Sequence, residues 1–379
     1  MIIKIEEVIS EYSVRNKSNE DIPVYSVTNE KGFCTGYFSK EVASKDKSTY
    51  KIVPKGYFAY NPSRINVGSI DWQKYEARVI VSPLYIVFSV SDRLDQQYLL
   101  HYLKSDIMLS FIKEYATGSV RDNLKLSDLG KFPINLRPME EQRRIAATLD
   151  KVSDLIAKRH HQLDKLDELV KSRFIELFGE PMTNPKKWPV YELSKYIRFL
   201  TSGSRGWAKY FTDEGEYFIT IKNVKNCRIT LDDVQYIVPP DNAEAKRTRV
   251  QEGDLLISIT ADLGRTGIVT KEIADYGGYI NQHLTCIRLN QAYVRPLYVA
   301  YYMESDAGRE QFQSKNQSAV KAGLNFNSIN TLRLIVPPVE LQDTFIAFVE
   351  QTDKSKLAIQ KSLETLETLK KALMQQYFG

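Results

Sequence analysis

The residues that come closest to an acid–base pair are His283 and Asp262. His283 follows Asn281 and Gln282 in a strand-like stretch, and Asp262 lies in a predicted loop. A histidine and a carboxylate can move protons, but a catalytic site also needs a nucleophile or a positioned substrate beside them. The 379 residues include only four histidines, and no serine or cysteine motif accompanies this one. We therefore predict that His283 has a structural or binding role and that the chain has no catalytic residues.

Motifs for nucleotide, cofactor and metal binding are also missing. The sequence has no G-x-x-x-x-G-K-[ST] loop and no G-x-G-x-x-G turn that opens a helix after a strand. Asn61-Pro62-Ser63-Arg64 starts like the Asn-Pro-Pro-Tyr of adenine methyltransferases, but it lacks the aromatic residue that stacks on a flipped base. Cys34, Cys227 and Cys286 are far apart and form no C-x-x-C pair. We predict no cofactor, no metal and no disulfide.

An internal repeat at a spacing of 200 residues organises the chain. Pro138-Met-Glu-Glu-Gln142 returns as Pro338-Val-Glu-Leu-Gln342, and Phe178-Gly179 returns as Phe378-Gly379 without any gap between them. The register also extends upstream, where the matching residues are Tyr98, Tyr102, Ser105, Asp106, Val120 and Leu124 against Tyr298, Tyr302, Ser305, Asp306, Val320 and Leu324. Further upstream the offset shrinks, since Gly56 matches Gly253 and Ile5 matches Leu193. The sequence therefore predicts two halves with one architecture.

The repeated segments are predicted to be long helices. Apolar residues recur at alternating steps of three and four, which is typical of a coiled-coil seam. In the first segment they are Ile145, Leu149, Val152, Ile156, Leu163, Leu166 and Val170, and in the second Phe345, Val349, Ile359, Leu363 and Leu366. Each helix would have about 40 residues and a length of about 60 Å. Neither stripe can be buried within one helix, so we expect the two helices to pack antiparallel rather than to serve as separate core helices.

Four regions follow from this division. We expect globular domains at 1–137 and 180–337, with spacer helices at 138–179 and 338–379. Because Gly379 matches Gly179 and Ile5 matches Leu193, the end of the chain should lie near its beginning, with the halves related by a pseudo-twofold axis. The fold class is therefore mixed α/β, with two domains separated by two long antiparallel coiled-coil helices.

Within the globular domains, strand-like and helix-like stretches alternate. Strands are predicted over 50–60, 79–90, 254–260 and 284–289, and helices over 94–115 and 296–312. The longest apolar stretch, 79–90, contains Pro83 and is too short to span a membrane. The N-terminus has no apolar signal core, so we expect a cytoplasmic protein that does not bind membranes.

The net charge of +5 is located on the globular domains. Residues 138–179 contain eight basic and eight acidic residues, and residues 338–379 contain five and six, so the helices contribute no positive charge. Tyrosines and tryptophans often stand beside cations or amides, as in Tyr60–Arg64 and Trp207–Tyr210. Such surfaces suit nucleic-acid phosphates and bases, although a merely soluble basic surface has a similar composition.

The order of these features resembles the specificity subunits of Type I restriction–modification systems. The Pro-x-Glu-x-Gln motif, preceded by the strand-like stretches 132–136 and 332–336, is similar to the junction in that family. The second half also resembles one of its target-recognition domains, in the runs Ser202–Phe211, Gly253–Ser258, Ala261–Gly264 and Asn281–His283. The resemblance covers essentially the whole chain, and it depends on the order of the motifs rather than on any single one.

This resemblance implies a non-catalytic subunit that binds double-stranded DNA. Each domain would recognise one half of a split site, and the helices would hold two methyltransferase subunits, which motor–nuclease subunits join. The candidate DNA-binding residues of the second domain are Ser202, Ser204, Arg205, Lys209, Tyr210, Asp262, Arg265, Gln282 and His283. Those of the first domain are Asn61, Ser63, Arg64 and Arg121.

The first half departs from the pattern. It is about 12 residues shorter before the common register and has no Ser-Gly-x-Arg-Gly run, which implies that the two half-sites differ in sequence. Two alternatives remain open on the residues alone. One is a coiled-coil scaffold with no nucleic-acid role, and the other is a fused nuclease–methyltransferase, which the missing motifs disfavour.

Overall fold

The chain folds into two units, each with one globular domain and one end of each long helix. The structure is a computed structural model that describes residues 1–36, 46–115, 123–316 and 323–379. The first unit comprises Met1–His161 and Ile359–Gly379, and the second comprises Gln162–Ala358. Both contain sheets and helices, so the predicted mixed α/β fold is confirmed.

The first domain is built on a four-stranded antiparallel sheet in the order β2-β9-β6-β7, with three two-stranded pairs, β1-β10, β3-β4 and β5-β8. Its strands are β1 Ile2–Lys4, β2 Ile9–Glu11, β3 Ser26–Thr28, β4 Gly32–Cys34, β5 Lys51–Pro54, β6 Phe58–Tyr60, β7 Ile70–Trp72, β8 Arg78–Val81, β9 Ile86–Val90 and β10 Pro133–Asn135. Its helices are α1 Gln96–Leu103, α2 Asp106–Tyr115 and α3 Leu126–Leu129, followed by the long α4 Met139–Phe178.

The second domain has two four-stranded sheets, β12-β21-β18-β19 and β13-β17-β14-β20, and the pairs β11-β22 and β15-β16. Its strands are β11 Val190–Glu192, β12 Ile197–Ser202, β13 Phe211–Thr212, β14 Glu216–Ile219, β15 Val224–Lys225, β16 Arg228–Ile229, β17 Gln235–Ile237, β18 Leu255–Ser258, β19 Thr266–Ile268, β20 Gly278–Ile280, β21 Leu284–Leu289 and β22 Arg333–Ile335. Its helices are α5 Ala243–Thr248, α6 Lys271–Tyr276, α7 Pro296–Glu304, α8 Asp306–Ser314 and α9 Phe326–Asn330, followed by the long α10 Val339–Phe378.

Several long predicted elements are each divided in two. The stretch 50–60 forms β5 and β6 because Gly56, at a φ of +87°, turns the chain between them. The stretch 79–90 forms β8 and β9, which a turn closed by the Tyr85 amide and the Ser82 carbonyl (3.0 Å) separates. The predicted helices over 94–115 and 296–312 break at Ser105 and Ser305, whose hydroxyls donate to the carbonyls of Tyr102 and Tyr302 at 2.7 and 2.6 Å.

The central strands of the two domains pair in the same register. In the first domain Phe58 of β6 lies opposite Phe88 of β9, and in the second Leu255 of β18 lies opposite Ile287 of β21. All four side chains are buried, and their neighbours Ala59 and Leu256 point into a second cluster on the other face of each sheet. The offset of 197 between β6 and β18 is the one that Gly56 and Gly253 predict.

Each long helix is joined to its domain by a glutamine in its first turn. The Gln142 side chain accepts a hydrogen bond from the Asp95 amide (2.8 Å) and donates to the carbonyls of Arg93 (3.0 Å) and Arg137 (2.8 Å). Gln342 forms the same three bonds in the second domain, with Arg295 N–H (2.8 Å), Tyr293 O (3.1 Å) and Pro337 O (2.9 Å). Both glutamines are 0% exposed. The last residue of the repeated Pro-x-Glu-x-Gln motif is therefore a buried joint.

The last aromatic residue of each helix fills an equivalent place in a domain. Phe178, at the end of α4, contacts the ring of Tyr298 edge-on with centroids 4.8 Å apart. Phe378, at the end of α10, contacts Tyr98 in the same way at 5.2 Å. Each domain therefore receives the end of one helix and the start of the other.

The two ends of the chain lie close together in the first unit. The Tyr98 hydroxyl donates to the Asn135 carbonyl (3.0 Å), and the Met1 amino group donates to the Asn135 side chain (3.3 Å) and the Leu136 carbonyl (3.3 Å). Tyr98 contacts Phe378, so the beginning and the end of the chain meet at the same pair of residues. The expected proximity of the termini is confirmed. In the described parts of the chain, no helix is both long and apolar enough to cross a bilayer.

The glutamine joint makes a testable prediction. Gln342→Ala removes the hydrogen bonds of this side chain with the Arg295 amide and with the Tyr293 and Pro337 carbonyls. The free energy of unfolding of the second unit should therefore fall by about 2–3 kcal/mol. Gln360→Ala is the matched control, because Gln360 lies exposed on the same helix, and it should change stability by less than about 0.5 kcal/mol. Amide hydrogen exchange at Arg295 reports the joint directly. Unchanged protection of that amide in Gln342→Ala would show that the joint does not depend on the glutamine.

Candidate nucleic-acid interface

The first segment of the candidate interface lies where β12 ends. Ser202 pairs with Thr285 of β21, and Ser204 forms a bridge with Asn281 beyond that strand. Ser204 is buried, with its hydroxyl 3.2 Å from that of Thr248 and its amide bonded to the Ile280 carbonyl at 2.9 Å. Ser202 and Ser204 therefore hold the backbone in place, and the exposed side chain of the segment is Arg205.

Glycine is required where this segment meets the loop before β21. A Cβ on Gly203 would lie 2.0 Å from the Asn281 carbonyl oxygen and 2.2 Å from that of Ile280. Both obstacles are backbone atoms, so no side-chain movement can relieve them. The Gln282 amide then donates to the Ser204 carbonyl at 3.0 Å, which fixes the two segments together.

Three of the predicted residues form a connected chain on this support. The Arg205 guanidinium donates to the side-chain oxygen of Gln282, and the Gln282 amide nitrogen lies 3.3 Å from Nε2 of His283. Nδ1 of His283 lies 2.7 Å from the hydroxyl of Thr260, at the end of β18. The His283 ring is therefore held on both sides, and it links the loop before β21 to the loop after β18.

The loop after β18 carries the other predicted pair. Asp262 and Arg265 form an ion pair with partly exposed side chains. The buried hydroxyl of Ser258 holds this loop from beneath, since it donates to the Asp262 carbonyl and accepts from the Arg265 amide at 2.9 Å. Asp262 is therefore a partner of Arg265 rather than an acid–base partner of His283.

Lys209 and Tyr210 face a different set of neighbours. The Lys209 ammonium lies 4.9 Å from the centre of the Tyr210 ring, and the Tyr210 carbonyl accepts from the Val238 amide at 3.1 Å. Trp207 between Arg205 and Lys209 is buried against Phe218 and Tyr279. Its burial anchors the segment, so Arg205 and Lys209 emerge on either side of a fixed aromatic residue.

The first-domain candidates lie in the turn after β6. The Asn61 side-chain oxygen accepts from the amide (3.1 Å) and the hydroxyl (3.0 Å) of Ser63, and Arg64 is exposed at the end of the turn. Asn61 and Ser63 therefore stabilise the turn that presents Arg64. Arg121 lies outside the described residues.

The turns after β6 and β18 are equivalent in the two domains. The Pro62 carbonyl accepts from the Leu124 amide at 3.2 Å, and the Ile259 carbonyl accepts from the Leu324 amide at 2.9 Å. These pairs keep the offsets of 197 and 200 that relate the strands and the downstream helices. Asn61, Ser63 and Arg64 therefore lie in the turn that corresponds to the start of the loop with Thr260, Asp262 and Arg265 in the other domain.

Sequence reasoning missed Arg247, an exposed residue of the short helix α5. Its guanidinium donates to the Thr201 hydroxyl and to the Ser202 carbonyl (3.0 Å), so it lies beside the first segment of the interface. Lys246, Arg247 and Arg249 follow one another closely in the sequence. That local cluster was a signal, but only the fold places it next to β12.

The chemistry of the assembled residues is that of binding. Amides, hydroxyls and guanidinium groups supply hydrogen-bond donors and acceptors. Cys286, in the adjacent strand, is buried, and burial together with the nearby Asp254 carboxylate raises the pKa of its thiol, so it stays protonated. In the ranges that the structure covers, no three histidines, cysteines or carboxylates cluster to hold a metal.

The model of one protein family matches both halves of the chain. The family is described as the Type I restriction modification DNA specificity domain, and the match covers residues 4–168 and 185–370. The chain belongs to this family. The two matched segments correspond to the two halves of the repeat, and each begins near the first strand of a domain and ends within a long helix.

Curated relatives of this family member have low but extended identity. The chain is similar to the specificity subunit of the Type I restriction enzyme EcoBI from Escherichia coli, with 19% identity, covering 89% of this chain and 78% of the relative. The EcoKI specificity subunit of E. coli K12 is 22% identical, covering 74% of this chain and 64% of the relative.

Solved structures have the same fold. The S subunit of a Type I restriction–modification system from M. genitalium has a TM-score of 0.59 at 14% identity, covering all of this chain and 96% of the other. A chain from a study of complex assembly and conformational transition of the Type I R-M system has a TM-score of 0.57 at 18% identity, covering 100% of this chain and 97% of that chain.

The close approach at Gly203 makes a prediction for this family member. Gly203→Ala must move two backbone segments apart, which should destabilise the second unit by about 1–3 kcal/mol and expose the Gln282 amide to exchange. Gly206→Ala is the matched control in the same loop, because a Cβ there meets nothing within 4 Å and only its φ of +72° opposes the change, at about 1 kcal/mol. Equal protection of the Gln282 amide in the two variants would contradict the account of this joint.

Proposed function

We propose that this chain is a non-catalytic DNA-binding subunit that directs methyltransferase and motor–nuclease subunits to a bipartite, asymmetric DNA site. In this proposal residues 1–137 and 180–337 are the two target-recognition domains. Residues 138–179 and 338–379 are the spacer helices between them. The chemistry of methylation and cleavage belongs to the partner subunits, and the complex works in the cytoplasm, where its DNA substrate is found.

The observation that carries the proposal is the pair of equivalent turns after β6 and β18. Both turns are held by the same backbone contact to the segment before a short helix, yet one presents Arg64, on a turn stabilised by Asn61 and Ser63, and the other presents Asp262 and Arg265. An identical scaffold with different exposed polar side chains is what two half-sites of different sequence require. Recognition by hydrogen bonds to base edges depends on such side chains.

In the second domain we assign the contacts as follows. Arg205, Lys209 and Arg265 contact phosphates or guanine edges, and Gln282 pairs with adenine. Ser202, Ser204, Tyr210, Asp262 and His283 position these groups or contact the DNA beside them. Because Arg205 and Arg265 are paired with Gln282 and Asp262 in the free protein, DNA binding must exchange those partners for base or phosphate oxygens.

The two long helices act as an antiparallel coiled-coil spacer. Contacts within the second unit support this arrangement: Phe174 lies against Phe345 with centroids 5.2 Å apart, and Lys356 pairs with Asp167. Residue numbers rise along α4 as they fall along α10. In the first unit, the buried start of α4, with Ile145 and Leu149, shares a core with Leu373 and Met374 near the end of α10. Equivalent tyrosine–phenylalanine contacts at both helix ends favour a pseudo-twofold relation of the halves.

A neutral spacer of this length can set the distance between the two half-sites but cannot recognise the bases between them. Each helix has 40 residues, or about 60 Å, and carries no excess of positive charge to attract the phosphates between the half-sites. The bases between the half-sites are therefore unspecified and few. In this proposal the two helices also hold two methyltransferase subunits.

Arg205 provides the test of DNA reading. Arg205→Ala should weaken binding of the full complex to its target duplex by about 1–3 kcal/mol if Arg205 reads a base, and should leave binding to a scrambled duplex nearly unchanged. Arg198→Ala is the matched control, since Arg198 is exposed at the start of β12, the strand that leads to Arg205, and lies at the end away from the loop. Fluorescence anisotropy at several salt concentrations measures the affinity for the target duplex and for the scrambled duplex.

Two outcomes would count against the assignment. Wild-type discrimination in Arg205→Ala would remove Arg205 from the reading surface. Binding of the intact complex that does not weaken with added salt would instead favour the scaffold alternative, because phosphate contacts release counterions.

A further inference from the structure

The turn between β8 and β9 presents a leucine to solvent. Leu84 is 75% exposed, although the strands on either side of its turn contain buried residues, Val79–Val81 in β8 and Val87 and Phe88 in β9. Pro83 precedes it, and the Tyr85 amide closes the turn on the Ser82 carbonyl at 3.0 Å. Burial of a leucine side chain is favourable by about 1.5–3 kcal/mol. The exposed Leu84 does not contribute this stabilisation to the free protein.

The position of Leu84 in the fold corresponds to that of His283. Phe88 of β9 corresponds to Ile287 of β21, because each lies opposite the equivalent residue of the neighbouring central strand. Counting back four residues from each leads to Leu84 and His283. In the second domain the His283 carbonyl accepts from the Ile259 amide at 3.0 Å. Pro62 is the residue of the first domain that corresponds to Ile259. Because Pro62 has no N–H, it cannot donate the equivalent hydrogen bond to the Leu84 carbonyl.

The turn that carries Leu84 is held by hydrogen bonds at the next residue, Tyr85. Lys51 donates to the Tyr85 carbonyl at 2.7 Å, and the Tyr85 hydroxyl accepts from the Val27 amide at 3.3 Å. Arg15 is exposed, and its backbone pairs with that of Lys51 in β5. Arg64 lies in the turn after β6, and β6 pairs with β9. An exposed apolar side chain on a turn that binds a lysine is suited to a polyanion that also presents apolar groups.

We propose that Leu84 is a specificity-determining residue of the first domain and that it contacts the 5-methyl group of a thymine in the major groove. The proposal rests on the proposed DNA-reading function and adds a chemical class of base to it. Leucine forms no hydrogen bonds, so the thymine methyl is the base feature that it can distinguish. The two domains therefore use one position differently, with an apolar contact in the first and a hydrogen-bonding imidazole in the second.

The test removes single methyl groups from the DNA. The target motif is taken from the methylated sites of the host, and duplexes are made with deoxyuridine in place of each thymine of both half-sites. Binding is measured with the full chain assembled with its methyltransferase subunits. At one thymine, the wild-type complex should lose about fourfold in affinity, the effect of one buried methyl group.

Three variants identify the residue responsible. Leu84→Ala should bind the thymine duplex about four- to tenfold more weakly and should lose the discrimination at that one position. Leu84→Met keeps an apolar side chain and should retain the discrimination. Leu231→Ala changes a partly exposed leucine of the other domain and should behave as wild type.

The failures are distinguishable. If the wild-type complex binds its motif no better than a scrambled duplex, the proposed function itself is wrong. If the motif is bound but Leu84→Ala keeps every deoxyuridine effect, or if neither half-site contains a thymine, the inference about Leu84 is overturned. A defect of Leu84→Ala confined to complex assembly would overturn it as well, because Leu84 would then contact a partner protein.

Discussion

The buried glutamine at the start of each long helix is the interaction on which the rest of the structure depends. Gln142 and Gln342 each satisfy one backbone N–H and two carbonyls at the place where a domain meets a helix. The N–H and one of the carbonyls lie just before α1 or α7, and the other carbonyl lies just before the long helix. Their bonds thereby fix the direction in which the helix leaves the domain. An unpaired buried polar group costs about 1–3 kcal/mol, so alternative exit directions are disfavoured.

This joint explains why a repeated chain can carry two different reading surfaces. The conserved geometry lies in the central strands, the paired tyrosine–phenylalanine contacts and the glutamine joint, which recur in both halves at fixed offsets. The turns after β6 and β18 and the segments before β9 and β21 lie at the edges of this frame. Side chains such as Arg64, Leu84, Arg265 and His283 can differ there without changing the core, because most of them are exposed or partly exposed.

The long helices and some of the strands could be predicted from the sequence, whereas the turns and the tertiary contacts could not. The apolar repeat and Gly179 indicated both 40-residue helices, because periodicity and a C-terminal glycine are local signals. The strand Leu284–Leu289 was predicted with its exact bounds. The strands over 50–60 and 79–90 were wrongly joined, since an apolar run does not show that Gly56 and Pro83 turn the chain.

The residues of the candidate site could likewise be predicted in part, but their contacts could not. Arg205, Gln282 and His283 were selected from separate motifs, and the structure connects them through hydrogen bonds that no local pattern encodes. Gln142 and Gln342 were recognised only as a repeated motif, because two of the three partners of each lie 47 and 49 residues earlier in the chain. Leu84 was interpreted as part of a buried strand, since exposure is decided by the turn and not by the residue type.

Whether the helices set the distance between the half-sites is measured directly by the methylated motif of cells in which both helices are lengthened by one heptad. The contacts Phe174–Phe345 and Lys356–Asp167 indicate that Leu163 and Ala358 are opposite points, so seven residues inserted after each keep the helix pairing in register. Methylome sequencing of cells with the original gene should give an asymmetric bipartite motif that is absent from cells without it. With the lengthened helices, we expect the same two half-sites with a spacer longer by about three base pairs, since one heptad adds about 10 Å. An unchanged spacer, or changed half-site sequences, would contradict it.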